Sequence, residues 1–201
     1  MGTNFDEAAK QWDLDEKKVR RARDVAEGIV KHLPDTKEMR AAEYGCGTGL
    51  LGFGLLPEFK GMTFCDTSKG MLEEVGRKIE AGGHTNCRTV LIDPEKAMDT
   101  SHKYDCIFNL MVLHHIPDTE EVIREWTESL TQGGYLCIAD LITEDGSFHK
   151  GNFDGHLGFD PEMLGEIFEK NNLVVESITT PHTIIREDRE YPLFLLIGRK
   201  R

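Results

Sequence analysis

Beyond Pro34 the sequence alternates short apolar runs, rich in β-branched and aromatic residues, with segments whose apolar residues recur at helical spacing. The predicted strands are Met39–Tyr44, Gly61–Cys65, Cys87–Ile92, Tyr104–Leu110 and Tyr135–Leu141. The predicted helices are Leu50–Leu56, Ser68–Glu80 and Asp118–Leu130, the last closed by Gly133-Gly134. Because right-handed crossovers keep such strands parallel, we expect a doubly wound α/β sheet with helices on both faces.

The two ends of the chain depart from this alternation. From Phe5 to Leu33 the sequence is charged, lacks proline and has helical apolar spacing, which predicts two helices broken near Asp13. After a predicted helix at Pro161–Lys170, two strand-like runs follow with no helix between them, Leu173–Thr180 and Tyr191–Gly198. They predict an antiparallel hairpin. We expect one domain over residues 1–201, with an N-terminal helical cap over 1–34 and the α/β core over 35–201.

Composition narrows the class of partner. The formal net charge of −12 repels phosphate backbones, so a nucleic-acid partner is not expected. The basic run at 17–23 is flanked by acidic residues and is predicted to be solvated surface. Five cysteines without CxxC spacing indicate reduced, buried thiols. The sequence has no leader pattern and no run of about 20 apolar residues, so we expect a cytoplasmic protein away from membranes.

A glycine turn, Gly45-Cys46-Gly47-Thr48-Gly49, follows the first predicted strand and precedes a helix. In an open parallel sheet this is where a nucleotide-like ligand binds, and glycine lets the backbone approach it closely. Tight strand-to-helix turns also use glycine for steric reasons alone. The glycine turn alone therefore does not establish a ligand site, and residues at other positions are needed as evidence.

Two carboxylates supply that support at the ends of the next strands. Asp66 follows the glycine turn by about 20 residues, where an acid accepts hydrogen bonds from ribose hydroxyls; helix capping is the alternative. Asp93 ends the third strand and is placed to accept an adenine amine, although Asp93-Pro94 is itself a turn signal.

These segments, together with Tyr104–Asp118 and the later Leu130–Leu136, resemble the class I methyltransferase family in order and spacing from about Met39 to Leu141. The resemblance implies a Rossmann-like, doubly wound, seven-stranded, mostly parallel sheet whose last strand is antiparallel. It also implies S-adenosyl-L-methionine as cofactor and S-adenosyl-L-homocysteine as product. A dinucleotide fold is disfavoured, because its third glycine is expected at Leu50 and here lies one position earlier, at Gly49.

The resemblance also implies binding roles for individual residues. Glu43 and the glycine turn would hold the methionine end, Asp66 the ribose, Asp93 the adenine amine, and Met71 with Leu72 the adenine ring. For Met71 and Leu72 helix core is the alternative. The predicted cofactor-binding set is Glu43, Tyr44, Gly45, Cys46, Gly47, Asp66, Thr67, Met71, Asp93, Pro94 and Asn109.

The candidate catalytic residues are histidines. His114 and His115 follow the fourth strand, where the transferable methyl group is expected, and imidazole titrates near neutral pH. His156 lies in the glycine-rich segment Phe148–Asp160, which we expect to line the acceptor pocket. For His114 and His115, a hydrogen bond to a loop carbonyl is the alternative. His149, Asp154 and His156 match no standard metal-ligand spacing, so no metal site is predicted.

Three functions therefore remain open: methylation of a small molecule, methylation of protein or RNA, and cofactor binding without catalysis. The acidic charge, and the lack of an Asn-Pro-Pro-Tyr motif after the fourth strand, favour a small acceptor. Phe5, Tyr44 and Trp12 are possible aromatic contacts for the sulfonium if the N-terminal helices fold over the site; core packing is the alternative for Phe5 and Trp12. The sequence does not indicate the methylated atom or the oligomeric state.

Overall fold

The computed structural model describes residues 5–93, 101–149 and 153–201. Seven strands form one sheet: β1 Arg40–Tyr44, β2 Gly61–Asp66, β3 Cys87–Leu91, β4 Tyr104–Leu110, β5 Leu130–Leu141, β6 Leu173–Arg186 and β7 Arg189–Lys200. Their order across the sheet is β3-β2-β1-β4-β5-β7-β6. Only β7 is antiparallel to its neighbours, β5 and β6. The predicted doubly wound sheet with an antiparallel last strand is confirmed.

Within the described residues, six α-helices accompany the sheet: α1 Phe5–Ala8, α2 Glu16–His32, α3 Leu50–Leu55, α4 Lys69–Gly82, α5 Thr119–Ser129 and α6 Pro161–Lys170. A 3-10 turn over Ala9–Leu14 links α1 to α2. The helices α2, α4, α5 and α6 each begin after an Asp or Ser whose side chain accepts a backbone N–H of the first turn, which satisfies donors that a helix start leaves unpaired.

The helices pack on the two faces of the sheet because their apolar residues lie along one stripe. On one face Val25 and Ile29 of α2 pack with Leu51 and Leu55 of α3, and on the other face Trp126 of α5 packs with residues of α6. Strand β1 lies between β2 and β4, with Glu43 in register with Phe64 and Phe108. The carboxyl ends of the parallel strands therefore meet at one edge, beside the glycine turn.

The glycine pair at 133–134 does not close a helix as predicted. Helix α5 ends at Ser129, and β5 begins at Leu130, which is buried, extended and paired with Tyr104. The register between β4 and β5 shifts after Tyr104, and a side chain at Gly134 would lie 3.0 Å from the carbonyl oxygen of Asp105. Glycine at these positions allows strands β4 and β5 to approach each other closely.

The predicted terminal hairpin is present and longer than expected. Strands β6 and β7 join through Glu187 and Asp188, both with positive φ, as a tight hairpin turn requires. All five cysteines are free thiols and four are buried, as predicted. Within the described ranges, no helix has the length and apolar character needed to cross a bilayer.

Candidate functional site

The glycine turn after β1 adopts a conformation that other residues rarely take. Gly45 and Gly47 have φ of +67° and +53°. A Cβ atom at Gly45 would lie 2.5 Å from a methyl carbon of Val112, so there is no space for a side chain at position 45. A Cβ atom at Gly47 would meet only Met71 Sδ and Trp12 Nε1, each at 4.0 Å. Gly47 thus faces a narrow gap, wide enough for about one methyl group, between the side chains of Met71 and Trp12, where the backbone is open to close approach.

Asp66 fixes the shape of this turn from the end of β2. Its Oδ2 accepts the backbone N–H of Gly47 at 2.7 Å, and its Oδ1 accepts that of Ser68 at 2.9 Å. The cap of α4 is Ser68, not Asp66. The capping alternative for Asp66 is therefore wrong, and each carboxylate oxygen keeps a lone pair for a further donor.

Glu43 is a buried acid beneath the turn. Its Oε2 accepts the N–H of Gly52 at 3.0 Å. Burial is the main reason why the pKa of Glu43 is raised to about 8; the negative charge of Asp66 adds to this, while the Gly52 hydrogen bond and Lys78 oppose it. Glu43 is therefore protonated at neutral pH and would become ionised beside a bound cation.

The N-terminal cap folds over this edge of the sheet, and two aspartates hold it there. Asp6 Oδ1 accepts Ser68 Oγ at 2.5 Å and the N–H of Gly70 at 2.9 Å. Asp13 accepts Thr48 Oγ1 at 2.5 Å and pairs with Lys78 at 2.5 Å. These contacts bring Trp12 close to the turn.

The other predicted binding residues take varied positions around the turn. Met71 and Cys46 are buried, and Thr67 is exposed. The Tyr44 ring lies 5.0 Å from that of Trp126, and burial raises the pKa of the Tyr44 hydroxyl to about 12, so it stays neutral.

Two binding predictions concern the ends of β3 and β4. Asp93 is exposed just beyond β3, and Pro94 lies outside the described residues. Asn109, near the end of β4, is fully buried, and within the described ranges neither its amide nitrogen nor its carbonyl oxygen has a hydrogen-bond partner. Because an unpaired buried amide is costly, Asn109 is suited to a ligand that supplies the missing partner.

His114 is held by Asp140 of β5. Its Nδ1 lies 2.6 Å from Asp140 Oδ1, and its backbone N–H donates to Oδ2 at 3.2 Å. Both side chains are buried. With Asp140 ionised, Nδ1 carries the proton and Nε2 offers a free lone pair, a tautomer that follows from the hydrogen bond.

His115 and His149 complete a group that we call the histidine cluster, His114, His115 and His149. One ring nitrogen from each lies within 4.8 Å of the others. The His115 ring is 4.1 Å from that of His114 and 6.1 Å from that of Phe5 in the cap. Burial, then His114, lowers the pKa of His115 to about 4, and the same causes lower the pKa of His149. Both imidazoles are neutral at physiological pH.

His156 makes different contacts from the cluster. Its Nε2 lies 3.0 Å from the carbonyl oxygen of Ile116 and 3.2 Å from that of Pro117, and its backbone N–H donates to the carbonyl of His114 at 2.9 Å. The His156 ring thus pairs with carbonyls of the loop after β4. His156 therefore ties the segment after β5 to the loop after β4.

Arg21 of α2 brings positive charge to the same edge. It is half-buried, and its Nε has no hydrogen-bond partner within the described ranges. Burial, then the charge of Arg186, lowers the pKa of Arg21, while Asp15 and Asp140 oppose this shift. The prediction of a solvated basic surface at 17–23 is wrong for Arg21, and an anionic ligand group would satisfy it.

Sequence reasoning missed Asp140 and Asp13. Asp140 had a signal, because it is a charged residue within an otherwise apolar predicted strand, Tyr135–Leu141. Asp13 had none, since it stands in a segment with many charges. Both act through contacts with residues distant in the sequence.

The comparisons with known proteins agree with this geometry. Residues 42–136 match the model of a methyltransferase domain family. An uncharacterized methyltransferase of Schizosaccharomyces pombe is 30% identical over 152 residues, which cover 67% of this chain and 53% of that protein. A ubiquinone biosynthesis O-methyltransferase of Marinobacter nauticus is 31% identical over 112 residues, which cover 54% and 47%. The chain thus spans about half the length of the curated relatives it matches.

Solved structures share the fold over nearly the whole chain. The complex between the Haloferax volcanii Trm112 methyltransferase activator and a methyltransferase matches with a TM-score of 0.81 at 14% identity, covering 99% of this chain and 98% of the matched chain. The YcgJ protein of Bacillus subtilis matches with a TM-score of 0.72 at 16% identity, covering 88% and 97%. The strand order and the glycine turn are those of a Rossmann-like methyltransferase domain. The match of residues 42–136 to the methyltransferase domain family agrees with this. Residues 42–136 carry the similarity to the methyltransferase domain family, and the fold of the chain is that of solved S-adenosylmethionine-dependent methyltransferases.

Proposed function

We propose that this protein transfers the methyl group of S-adenosylmethionine to a small-molecule acceptor that carries an acidic group. The observation that carries the proposal is the gap above Gly47, bordered by Met71 and Trp12 and held in shape by Asp66. A glycine turn at the carboxyl end of a parallel strand, next to carboxylates and an aromatic ring, suits a nucleoside with a cationic tail.

The residues around the gap fit the cofactor. Asp66 has lone pairs left for ribose hydroxyls, and Met71 offers a buried thioether beside the position of a flat base. Glu43 would ionise next to the α-amino group of the methionine tail. When bound, the cofactor supplies the electrophilic methyl group.

The main contribution of the protein to catalysis would then be to align the acceptor with the methyl group of the cofactor. Holding a nucleophile in line with a reactive group is worth several kcal/mol, on the order of 7–11 at best. The cap excludes water by closing over the turn through Asp6 and Asp13. His115, neutral and exposed, is available to take a proton from the acceptor, and His114, oriented by Asp140, lies beside it.

Enclosure and charge favour a small, acidic acceptor. The cap contacts both Ser68 and His115 and so covers this edge of the sheet, which disfavours a broad groove for a macromolecule. Arg21 would pair with a carboxylate or phosphate on the acceptor, although the protein as a whole is acidic. The complex of the similar Haloferax volcanii methyltransferase with the Trm112 activator keeps a macromolecular acceptor or partner as the alternative.

The test has a binding arm and a transfer arm. Asp66→Ala should weaken cofactor binding by more than about 1 kcal/mol, roughly fivefold or more, because hydrogen bonds to a charged group are lost. Calorimetry with wild type, Asp66→Ala and the exposed-site control Glu27→Ala measures this. An unchanged dissociation constant in Asp66→Ala would remove Asp66 from the site.

The transfer arm uses methyl-labelled cofactor with an anionic metabolite fraction, a neutral fraction, total RNA and total protein in parallel. We expect label in the anionic small-molecule fraction. Label in RNA or protein would support the alternative acceptor class. No label together with normal cofactor binding would favour a noncatalytic binding protein.

A further inference from the structure

We propose that His114, His115 and His149 bind a divalent transition-metal ion of the zinc type at the acceptor side of the site. The three imidazoles come from two separate parts of the chain, and one ring nitrogen of each lies within 4.8 Å of the others. Three protein ligands with an open position are the usual arrangement of a zinc centre that binds a further group, and imidazole also suits Co²⁺, Ni²⁺ and Fe²⁺.

Asp140 completes the pattern of a metal-bound histidine. Histidine ligands typically donate their second ring N–H to a carboxylate, which fixes the ring and leaves the other nitrogen for the metal. The contact of 2.6 Å between His114 Nδ1 and Asp140 Oδ1 has this form. Asp140 also accepts the N–H of Leu141 at 2.7 Å, so the carboxylate itself is held in place.

His149 provides an independent observation. Its Nδ1 is buried and, within the described ranges, has no hydrogen-bond partner. The ring is stacked on Phe153 with centroids 3.7 Å apart and planes at 8°, so packing and not a polar contact holds its orientation. A buried imidazole nitrogen without a partner is costly, and a metal ion would satisfy it.

The charges and distances around the cluster permit binding with a small adjustment. Asp140 and Glu144 act on the imidazoles with negative charge, opposed by Arg186. At zinc–nitrogen bonds of about 2.1 Å, tetrahedral ligand atoms are roughly 3.4 Å apart, so the rings must close by somewhat over 1 Å. His149 lies outside the helices and strands, where such a movement is inexpensive.

A metal here would hold a heteroatom of the acceptor in its open position, close to the cap residue Phe5 that contacts His115. A bound hydroxyl or thiol loses its proton more readily than a free one, so with the metal in place the ion would activate the acceptor and His115 would serve as a ligand instead of as the base. This role rests on the proposed methyl transfer, whereas metal binding itself does not.

The experiment measures Zn²⁺ and Co²⁺ uptake by chelator-treated full-length protein. We expect one ion per chain and visible Co²⁺ absorption without the near-ultraviolet thiolate bands that cysteine ligation would add. His149→Ala should weaken binding more than tenfold, and Asp140→Asn should weaken it 10- to 100-fold, the usual range for a lost outer partner. His84→Ala, at a histidine outside the cluster, should bind as wild type does, and Cys87→Ser controls for the one cysteine that is not buried.

The outcomes separate the two proposals. Circular dichroism and cofactor calorimetry establish that each variant is folded. If folded wild type bound no ion, or if His149→Ala bound as tightly as wild type, the metal site would be refuted while the cofactor result stood. If the metal bound normally and the cofactor did not, the proposed function would fail and the metal site would stand.

Discussion

The glycine turn and the histidine cluster lie at the same edge of the sheet but are built in opposite ways. The turn comes from consecutive residues after β1, and backbone hydrogen bonds to Asp66 and Glu43 fix its shape. The histidine cluster joins the loop after β4 to the segment after β5, and side-chain packing holds it together. The turn is preorganised by the main chain, and the cluster depends on tertiary contacts.

This difference suits the two ligands that we propose. A cofactor is the same in every reaction cycle, so a rigid backbone cradle serves it. Acceptors differ among proteins that share this fold, and side chains on loops are the part that changes most readily. The comparison predicts that substitutions in the turn alter folding and cofactor affinity together, while substitutions near the cluster leave cofactor affinity intact.

The largest expected effect tests the buried acid under the turn. The folded pKa of Glu43 is about 8 against an ordinary 4.5, so the folded state holds a proton that the unfolded state releases. Wild-type stability should therefore fall as pH rises from about 4.5 to 8, by an amount on the order of 4 kcal/mol relative to Glu43→Gln. Urea unfolding at pH 5 and pH 8 measures this.

The control for that experiment is Glu27→Gln, at an exposed acid of α2. Its stability should follow the wild-type pH dependence. Equal pH dependence of wild type and Glu43→Gln would mean that Glu43 is ionised in the folded protein, and the account of a buried neutral acid would be wrong.

A smaller effect separates two glycines of the turn. Gly45→Ala should destabilise the protein by about 2–3 kcal/mol for two reasons. The Cβ of the alanine would overlap Val112, and the backbone at position 45 has a positive φ that alanine disfavours. Gly47→Ala should cost only about 1 kcal/mol of stability for its positive φ, yet weaken cofactor binding at least tenfold because its Cβ enters the gap.

Thermal unfolding and cofactor calorimetry on both variants provide the measurement. If Gly47→Ala bound the cofactor as wild type does, the gap above Gly47 would not be the binding site. If Gly45→Ala were as stable as Gly47→Ala, Val112 would have moved aside.

The same division explains what the sequence could predict. The order of strands and helices, the glycine turn and the terminal hairpin all follow from local periodicity and turn chemistry, and all are confirmed by the fold. The glycine pair at 133–134 was misread because a helix end and a close strand contact both favour glycine, and only the pairing of β4 with β5 distinguishes them.

The histidine cluster was beyond such reasoning for a physical reason. The spacing of His149 to His114 and His115 matches no metal-ligand pattern, because the fold and not the local sequence brings them together. The role of Asp140 follows only from its contact with His114, which is 26 positions away in the sequence. The roles of the individual binding residues remain predictions that the experiments above test.

The smallest expected effect on cofactor affinity concerns Gly155, which packs against the backbone of His114. A Cβ atom there would overlap the carbonyl oxygen of His114 and the Phe153 ring, and would strain the bond from His156 N–H to that carbonyl. Gly155→Ala should destabilise the protein by at least about 2–3 kcal/mol, because the Cβ overlaps a backbone oxygen that cannot move aside as a side chain does. The histidine side-chain NMR signals should shift, because Phe153 stacks on His149. Cofactor affinity should remain at the wild-type value.

Gly76→Ala is the matched control, since a Cβ at Gly76 meets no atom within 4 Å and alanine favours the helix α4. It should shift no histidine signal and should raise stability slightly, by about 0.5–1 kcal/mol. Loss of cofactor affinity in Gly155→Ala would contradict the separation of the two regions, because it would show that the packing of the histidine cluster also sets the shape of the glycine turn.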